Sequence, residues 1–389
     1  MKIVVLGAGR VGYAIVEDLI KYYSDIDEII VGDIIFDKAV KASKLDPERI
    51  TPVKVDASKL DEVINVIRRC DSFINATYYG LARISIEASL KTGIPYLDLG
   101  SGLYRYHDAF LEAGVPAILD IGGAPGLINI LAKYGVDSLD DVEYIHLYDV
   151  NEEVKGPNVN APIRYKYSPE TVLDEATMPA VIYRDGEFIR VPPLTGFEER
   201  QFPEPIGVKK VFYIYHNEVE TLARTFRDRG LKEIWYKIDA FNLPWEEGMK
   251  WKLLAELGFA KNDPIEVDGA AVSPRKVLIK LLERIPDAWE GWEGYELLEA
   301  EVKGYRDGDE VLIRVSAIAE INWRTGSTLT AAPPAIVGYW LAKRKYNKPG
   351  AYSPEQILDS REFLAELARR DNVKILYEEK RDIILESNP

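Results

Sequence analysis

The feature that most constrains this 389-residue chain is its opening, MKIVVLGAGRVG, where a short β-branched run leads into Gly7, Gly9 and Gly12. An amphipathic pattern follows over Val11–Tyr22, and a second apolar run, Glu28–Val31, ends at Gly32-Asp33. Strand, glycine-rich turn, helix and acid-terminated strand, in that order, predict a dinucleotide-binding βαβ unit. Gly7 permits the tight turn, Gly9 lets the backbone approach a pyrophosphate, and Gly12 allows close helix–strand packing. Ala8, Arg10 and Val11 belong to the same cradle, where the helix N-terminus offers unpaired N–H groups and a positive dipole end. Asp33 lies about 20 residues past the last glycine, the place of an acid that accepts from the ribose hydroxyls. Its charge would repel a 2′-phosphate. Ile34, Ile35 and Phe36 bring no cation to offset that, and Lys38 is the one basic residue nearby. NAD is therefore expected over NADP.

Strand-like and helix-like segments alternate from Lys2 to about Asp120, which predicts an α/β Rossmann domain with a doubly wound parallel sheet. Ligands of such sheets bind beyond the carboxyl ends of the strands. Asp56-Ala57, Asn75-Ala76 with Tyr78, and Leu99-Gly100 are thereby expected to face the cofactor. A second glycine-rich element, Gly122–Gly126, contains Pro125 and precedes the helical run Leu127–Tyr134. From Val142 the character changes. Tyr-rich strand patterns (Val142–Val150, Lys209–His216, Glu233–Phe241, Glu310–Ile321) predict an inserted α+β substrate domain with a mixed sheet. Ala331–Ala342 reads as a buried helix and Ser353–Arg369 as another, both expected to return to the Rossmann domain. The expected division is residues 1–125 for the cofactor, 126–328 for substrate and dimerisation, and 329–389 for the returning helices.

Bulk composition narrows the partners. A net charge of −15 argues against nucleic acid and against an anionic membrane surface. No stretch is long and apolar enough to span a bilayer, and the chain enters a strand at once, without a leader-like region. The single cysteine, Cys70, fits a reducing cytoplasm. With three histidines and one cysteine, no metal site is expected. The scarcity of Cys and Met beside 29% charged residues would suit a thermophile.

Several phrases resemble the saccharopine dehydrogenase-like oxidoreductases over nearly the whole chain. They are LGAGRVG at Leu6–Gly12, VDAS at Val55–Ser58, INATYYG at Ile74–Gly80, YLDLGSG at Tyr96–Gly102, and DIGGAPGLINILA at Asp120–Ala132. YSPETVLDE at Tyr167–Glu175, HNEVETLARTF at His216–Phe226, the strand around Trp235-Tyr236-Lys237, and SPEQIL at Ser353–Leu358 complete the set. Ala124 replaces the Asp that saccharopine-forming members carry before Pro-Gly, which places the resemblance in the lysine 6-dehydrogenase branch. The family's usual Gly-His after Lys237 is absent; the chain reads Ile238-Asp239-Ala240-Phe241-Asn242. The resemblance implies a homodimer that oxidises the side-chain amine of L-lysine with NAD, giving the semialdehyde or cyclic imine. The alternative is a saccharopine or carboxynorspermidine-type reductase acting on a secondary amine. A non-catalytic NAD-binding protein is the alternative of another class.

Amine oxidation needs a neutral amine, a proton acceptor and a cation for the substrate carboxylate. His216 ends a strand beside Glu218 and Glu220 and is the first candidate for proton transfer; a half-exposed strand-end histidine is the competing reading. In the next segment Thr221 and Arg224 are candidates for substrate contact. Arg224 would fork onto a carboxylate, or else simply pair with a neighbouring acid. Lys237 is an acid/base candidate if desolvation lowers its pKa, and otherwise edges the sheet. Asp120, like Asp98, ends a strand, where it would meet the nicotinamide or a substrate ammonium, or cap the following turn. His107 and His146 read as structural, and Cys70 as no nucleophile.

Overall fold

The computed structural model describes residues 1–158, 161–285, 290–323 and 326–382; residues 383–389 of the expected C-terminal segment lie outside the described residues. Two compact units result, residues 1–134 with 326–375 and residues 135–323 with 376–382.

The first unit is a seven-stranded, wholly parallel sheet. Its strands are β1 (Lys2–Leu6), β2 (Glu28–Asp33), β3 (Ile50–Lys54), β4 (Ser72–Asn75), β5 (Tyr96–Asp98) and β6 (Pro116–Ile118), with Gly350–Tyr352 joining at the edge. The spatial order runs from Gly350–Tyr352 through β6, β5, β4, β1 and β2 to β3, so winding reverses between β1 and β4. That reversal opens a crevice at the strands' carboxyl ends, over which the first helix, α1 (Arg10–Tyr22), begins. The apolar run near the C-terminus forms the helix Thr328–Ala342, which returns to pack on α1 and β4. A Cβ at Gly338 would come within 2.5 Å of Ile74, so glycine is what allows this close seat. Arg370 then ties the end of the unit to α1 through a buried pair with Asp18 at 2.7 Å.

The second unit is built on a nine-stranded mixed sheet. Its long strands Asp141–Lys155, Glu293–Arg306 and Asp309–Asn322 pair antiparallel, while Glu233–Ile238 runs parallel to Asp141–Lys155. The strand Glu293–Arg306 was not among the expected ones, although it occupies the middle of the sheet. One face buries Tyr148, Val150, Phe202, Trp235 and Leu297. The opposite face carries Asp149 and Tyr236, one residue along from Tyr148 and Trp235, and here the helix Glu218–Phe226 packs on Glu233–Ile238. The expected strand to Phe241 stops at Ile238 because Phe241 and Asn242 both turn left-handed, with φ of 59° and 58°. Likewise the expected single helix Ser353–Arg369 is two, Pro354–Ile357 and Ser360–Leu367.

Candidate active site

The first unit holds a cradle made of backbone. Gly7 has φ of 100°, which few L-residues adopt, and donates to Gly32 O at 2.7 Å. A Cβ at Gly12 would lie 1.8 Å from Gly7 O, whereas a Cβ at Gly9 would meet nothing within 4 Å. No side chain caps α1, whose first N–H groups lie beside this open space. Both Asp33 oxygens accept backbone N–H groups, Oδ2 from Ala8 and Oδ1 from Ile35, each at 2.8 Å. Each oxygen retains acceptor capacity for a ribose hydroxyl. Ile34, Ile35 and Phe36 are exposed beside it. Open space at the close-approach glycine, an uncapped helix N-terminus and a fixed acid suit a dinucleotide.

The other expected cofactor residues follow the carboxyl ends of the same sheet: Asp56 and Ala57 after β3, Asn75, Ala76 and Tyr78 at and after β4, Leu99 and Gly100 after β5. Asp56 closes a turn by accepting from Ser58 N–H and Oγ, bonds that hold its carboxyl below the usual range. Pro125 lies in a loop that Gly122 and Gly126 close, for a Cβ at Gly126 would come within 2.3 Å of Gly122. Asp98 and Asp120 are both buried and committed to local structure. Asp98 accepts from the Tyr96 hydroxyl and from the Ser101 and Asp120 N–H groups, while burial raises its carboxyl. Asp120 accepts from Gly102 N–H at 2.8 Å and from the Tyr104 hydroxyl at 2.9 Å. These bonds commit Asp120 to the loop after β5, not to the turn that follows Asp120 itself.

The second unit holds a cluster made of side chains. His216 lies between two carboxylates, Nδ1 at 3.0 Å from Glu218 Oε1 and Nε2 at 3.3 Å from Glu175 Oε1, and stacks on the Tyr236 ring at 4.3 Å. Burial works against charge on the ring, but the two glutamates outweigh it and hold the pKa well above that of a free histidine. Both ring nitrogens of His216 are thereby engaged.

Around it are Asp149, whose Oδ2 accepts from Tyr236 Oη at 3.2 Å, and Asp239, whose Oδ2 accepts from Asn151 N–H at 2.9 Å. Burial, then the charges of Glu296 and Asp239, raise Asp149 far above an ordinary carboxyl; burial lifts Asp239 to about 6. Lys166 donates to Asn151 Oδ1 at 2.9 Å and sits 4.3 Å from the centroid of Trp292, with its pKa lowered by burial to about 8. The departure from the family pattern falls inside this cluster. Asp239 and Asn242 come from that stretch, and the left-handed pair Phe241-Asn242 costs about 1–3 kcal/mol per residue, the kind of strain found at ligand sites.

The expected catalytic residues are not all together. Lys237 points to the opposite face from Tyr236, where its Nζ lies 2.6 Å from Glu198 and over Trp235. Thr221 is buried and bonds back to Glu218 O. Arg224 projects into solvent and pairs with Glu220 at 3.0 Å, the salt-bridge alternative of the sequence reading. Cys70 is buried and its thiol is pushed up to about 11, which suits no nucleophile. Among the described residues no helix is long and apolar enough to cross a membrane, and no group of three His, Cys, Asp or Glu could hold a metal. Sequence reasoning missed Asp149, Lys166, Glu175 and Glu296; the signal available was Asp149 inside the buried run Leu147–Asn151 of its strand.

Two family models together span residues 3–373, the second of them drawing on both compact units. Residues 3–118 match the family model described as the saccharopine dehydrogenase NADP binding domain, and residues 122–373 the saccharopine dehydrogenase C-terminal domain. Carboxyaminopropylagmatine dehydrogenase of Synechocystis sp. is 22% identical, over 94% of this chain and 95% of its own. Carboxynorspermidine synthase of Vibrio alginolyticus is 24% identical, over 94% of each. Among solved structures, the apo saccharopine dehydrogenase (L-Glu forming) of Saccharomyces cerevisiae superposes with a TM-score of 0.71 at 15% identity, covering 98% of this chain and 100% of that one. The homospermidine synthase of Legionella pneumophila, in complex with NAD, gives 0.67 at 13% identity, covering 97% and 91%.

Proposed function

The chain belongs to the saccharopine dehydrogenase family and is an NAD(P)-dependent oxidoreductase, and from that premise we propose that its substrate is a carboxylated secondary amine, oxidised or formed at the carbon bearing nitrogen. The observation that carries this reading is the acid cluster of the second unit. Asp149, Glu175, Glu218, Asp239 and Glu296 outnumber the cations His216 and Lys166 among them, a polarity suited to a substrate rich in amines. The curated relatives, named for carboxynorspermidine and carboxyaminopropylagmatine, favour the same class. A bound nicotinamide supplies hydride transfer. The protein's own residues hold the amine and manage its protons. Lys166, poised near pH 8, is suited to take the proton that the amine must lose, a role for which the doubly bonded His216 has no free nitrogen.

Two finer points belong to this proposal. NAD is preferred over NADP, supported by Asp33 and by the exposed apolar Ile34, Ile35 and Phe36 beside it. Asp33→Ser is expected to weaken NAD binding about tenfold, the loss of one charge-assisted hydrogen bond, and to relax discrimination against NADP; unchanged affinity for both would refute the ribose role. L-lysine as the sole amine is a second reading, favoured by Ala124 in the Gly122–Gly126 loop.

A turnover panel tests the whole. Reduced nicotinamide should form with a carboxyalkyl polyamine and NAD, and be consumed when the parent amine and carbonyl compound are supplied together. Turnover with lysine alone would select the second reading. Cofactor binding without turnover of any amine would leave a non-catalytic dinucleotide-binding protein.

A further inference from the structure

Within the acid cluster, Glu218 Oε2 beside His216 and the donor Asn151 Nδ2 are buried without a hydrogen-bond partner, and so are three oxygens at one turn: Asp149 Oδ1, Asp239 Oδ1 and Asn242 Oδ1. Their residues are more than nine-tenths buried, with exposures of 6%, 7% and 8%. Leaving such an acceptor unpaired costs free energy, and three in one place call for a common donor. They do share one place. Asp239 N–H donates to Asp149 O at 3.3 Å, and Asn242 N–H to Asp239 O at 3.4 Å, so the turn after Glu233–Ile238 draws the three residues together. The helix Trp245–Glu256 seals the turn, since a Cβ at Gly248 would lie 2.6 Å from Ala240 O.

We propose that Asp149, Asp239 and Asn242 form a subsite for a primary alkylammonium group of the substrate, distinct from the nitrogen at the reacting carbon. The proposal rests on the amine reading above and adds the identity of the far end. A primary ammonium carries three N–H donors on one nitrogen, which matches three acceptors; the secondary amine at the reacting carbon has fewer, and a guanidinium spreads its donors over a planar fork. The cluster already tolerates one alkylammonium, that of Lys166 on Asn151 and Trp292, which shows what chemistry the surroundings accept. The substrate class that follows is a diamine or polyamine derivative with a free aminoalkyl end.

The experiment is calorimetric titration of the full chain with 1,4-diaminobutane and with its guanidino analogue 1,4-diguanidinobutane, which keeps both charges but no primary ammonium, while NAD binding is followed separately by fluorescence. The diamine should bind at least tenfold more tightly than the guanidino analogue. Asp149→Asn and Asp239→Asn should each weaken diamine binding tenfold or more with NAD affinity unchanged. Asn242→Asp, which adds charge without removing an acceptor, should tighten diamine binding several-fold and covers the case in which the other variants fail to fold. Equal affinity for the diamine and the guanidino analogue, or carboxylate variants within twofold of the parent, would overturn the subsite. The turnover panel separates it from the reading beneath it. Amine oxidation unaffected by Asp149→Asn and Asp239→Asn leaves the oxidoreductase standing without this subsite. Diamine binding that depends on those carboxylates, with no turnover of any amine, leaves the subsite standing alone.

Discussion

The two faces of the mixed sheet both carry buried charged groups and treat their carboxylates in opposite ways. On the face of Trp235 each carboxylate has a cation: Glu198 has Lys237, Glu299 has Arg200, and Glu301 has both Arg200 and Arg314 at 2.7–2.9 Å. On the face of Tyr236, Asp149, Asp239 and Glu218 each retain a buried oxygen with no partner. A closed network holds the sheet together, and an open one has capacity left for a ligand. Burial alone does not distinguish the two faces. Satisfaction does.

The largest expected effect lies on the closed face. Burial works against charge on Glu301, yet His146, Arg200 and Arg314 around it hold its carboxyl well below the usual range. Arg200→Met removes the cation shared by Glu299 and Glu301 and strands Glu299, while Arg314 stays on Glu301, at a cost of about 3–5 kcal/mol. Urea denaturation measures it. A loss under about 1 kcal/mol would mean that this network is as open as the other and would dissolve the contrast.

The contrast also explains what was legible in the sequence. The cradle was readable in full because its parts are local: Gly7, Gly9 and Gly12 act within one turn, and Asp33 stands one βαβ step away. The two sheets followed from the change of rhythm near Val142. The acid cluster was not readable, because Asp149, Lys166, Glu175, His216, Asp239 and Glu296 come from six separate segments, of which strand register aligns only those of Asp149, Asp239 and Glu296. His216 carried a signal through Glu218 beside it; Glu175, its other partner, is 41 residues away. The strand Glu293–Arg306 escaped for a related reason. Its sequence EGYELLEAEVKGYR is rich in helix formers, and pairing with a neighbour on each side overrides that local preference.

A second, smaller effect would sharpen the description of the open face. The folded Asp239 carboxyl holds its proton more tightly than the unfolded one, with a pKa raised by burial from 3.8 to about 6. Stability from this group is therefore fully present below about pH 4 and is lost as pH rises through 6. Asp239→Asn removes that loss. Relative to the parent it should gain stability between pH 4.5 and 7, by roughly 2–3 kcal/mol at 1.36 kcal/mol per pKa unit, and level off above. Thermal melts across that range measure the difference. A gain that stayed flat with pH would mean that Asp239 is ionised and satisfied, and the open face would be closed after all.

The smallest effect belongs to Arg224, which fits neither network. It projects from the helix Glu218–Phe226 with its side chain 57% exposed and pairs with Glu220 one turn earlier. Exposed pairs at this spacing contribute about 0.3–0.5 kcal/mol and are weakened by salt. Arg224→Ala should therefore change stability by less than about 0.5 kcal/mol and leave the substrate KM within twofold of the parent. The next turn inward differs sharply, for Glu218 on the same helix is fully buried against His216. A tenfold rise in KM for Arg224→Ala, with NAD affinity unchanged, would mean that the outer surface of this helix also meets substrate. Recognition would then extend past the buried acid cluster to a cation for the substrate carboxylate, the role its guanidinium fork would fill.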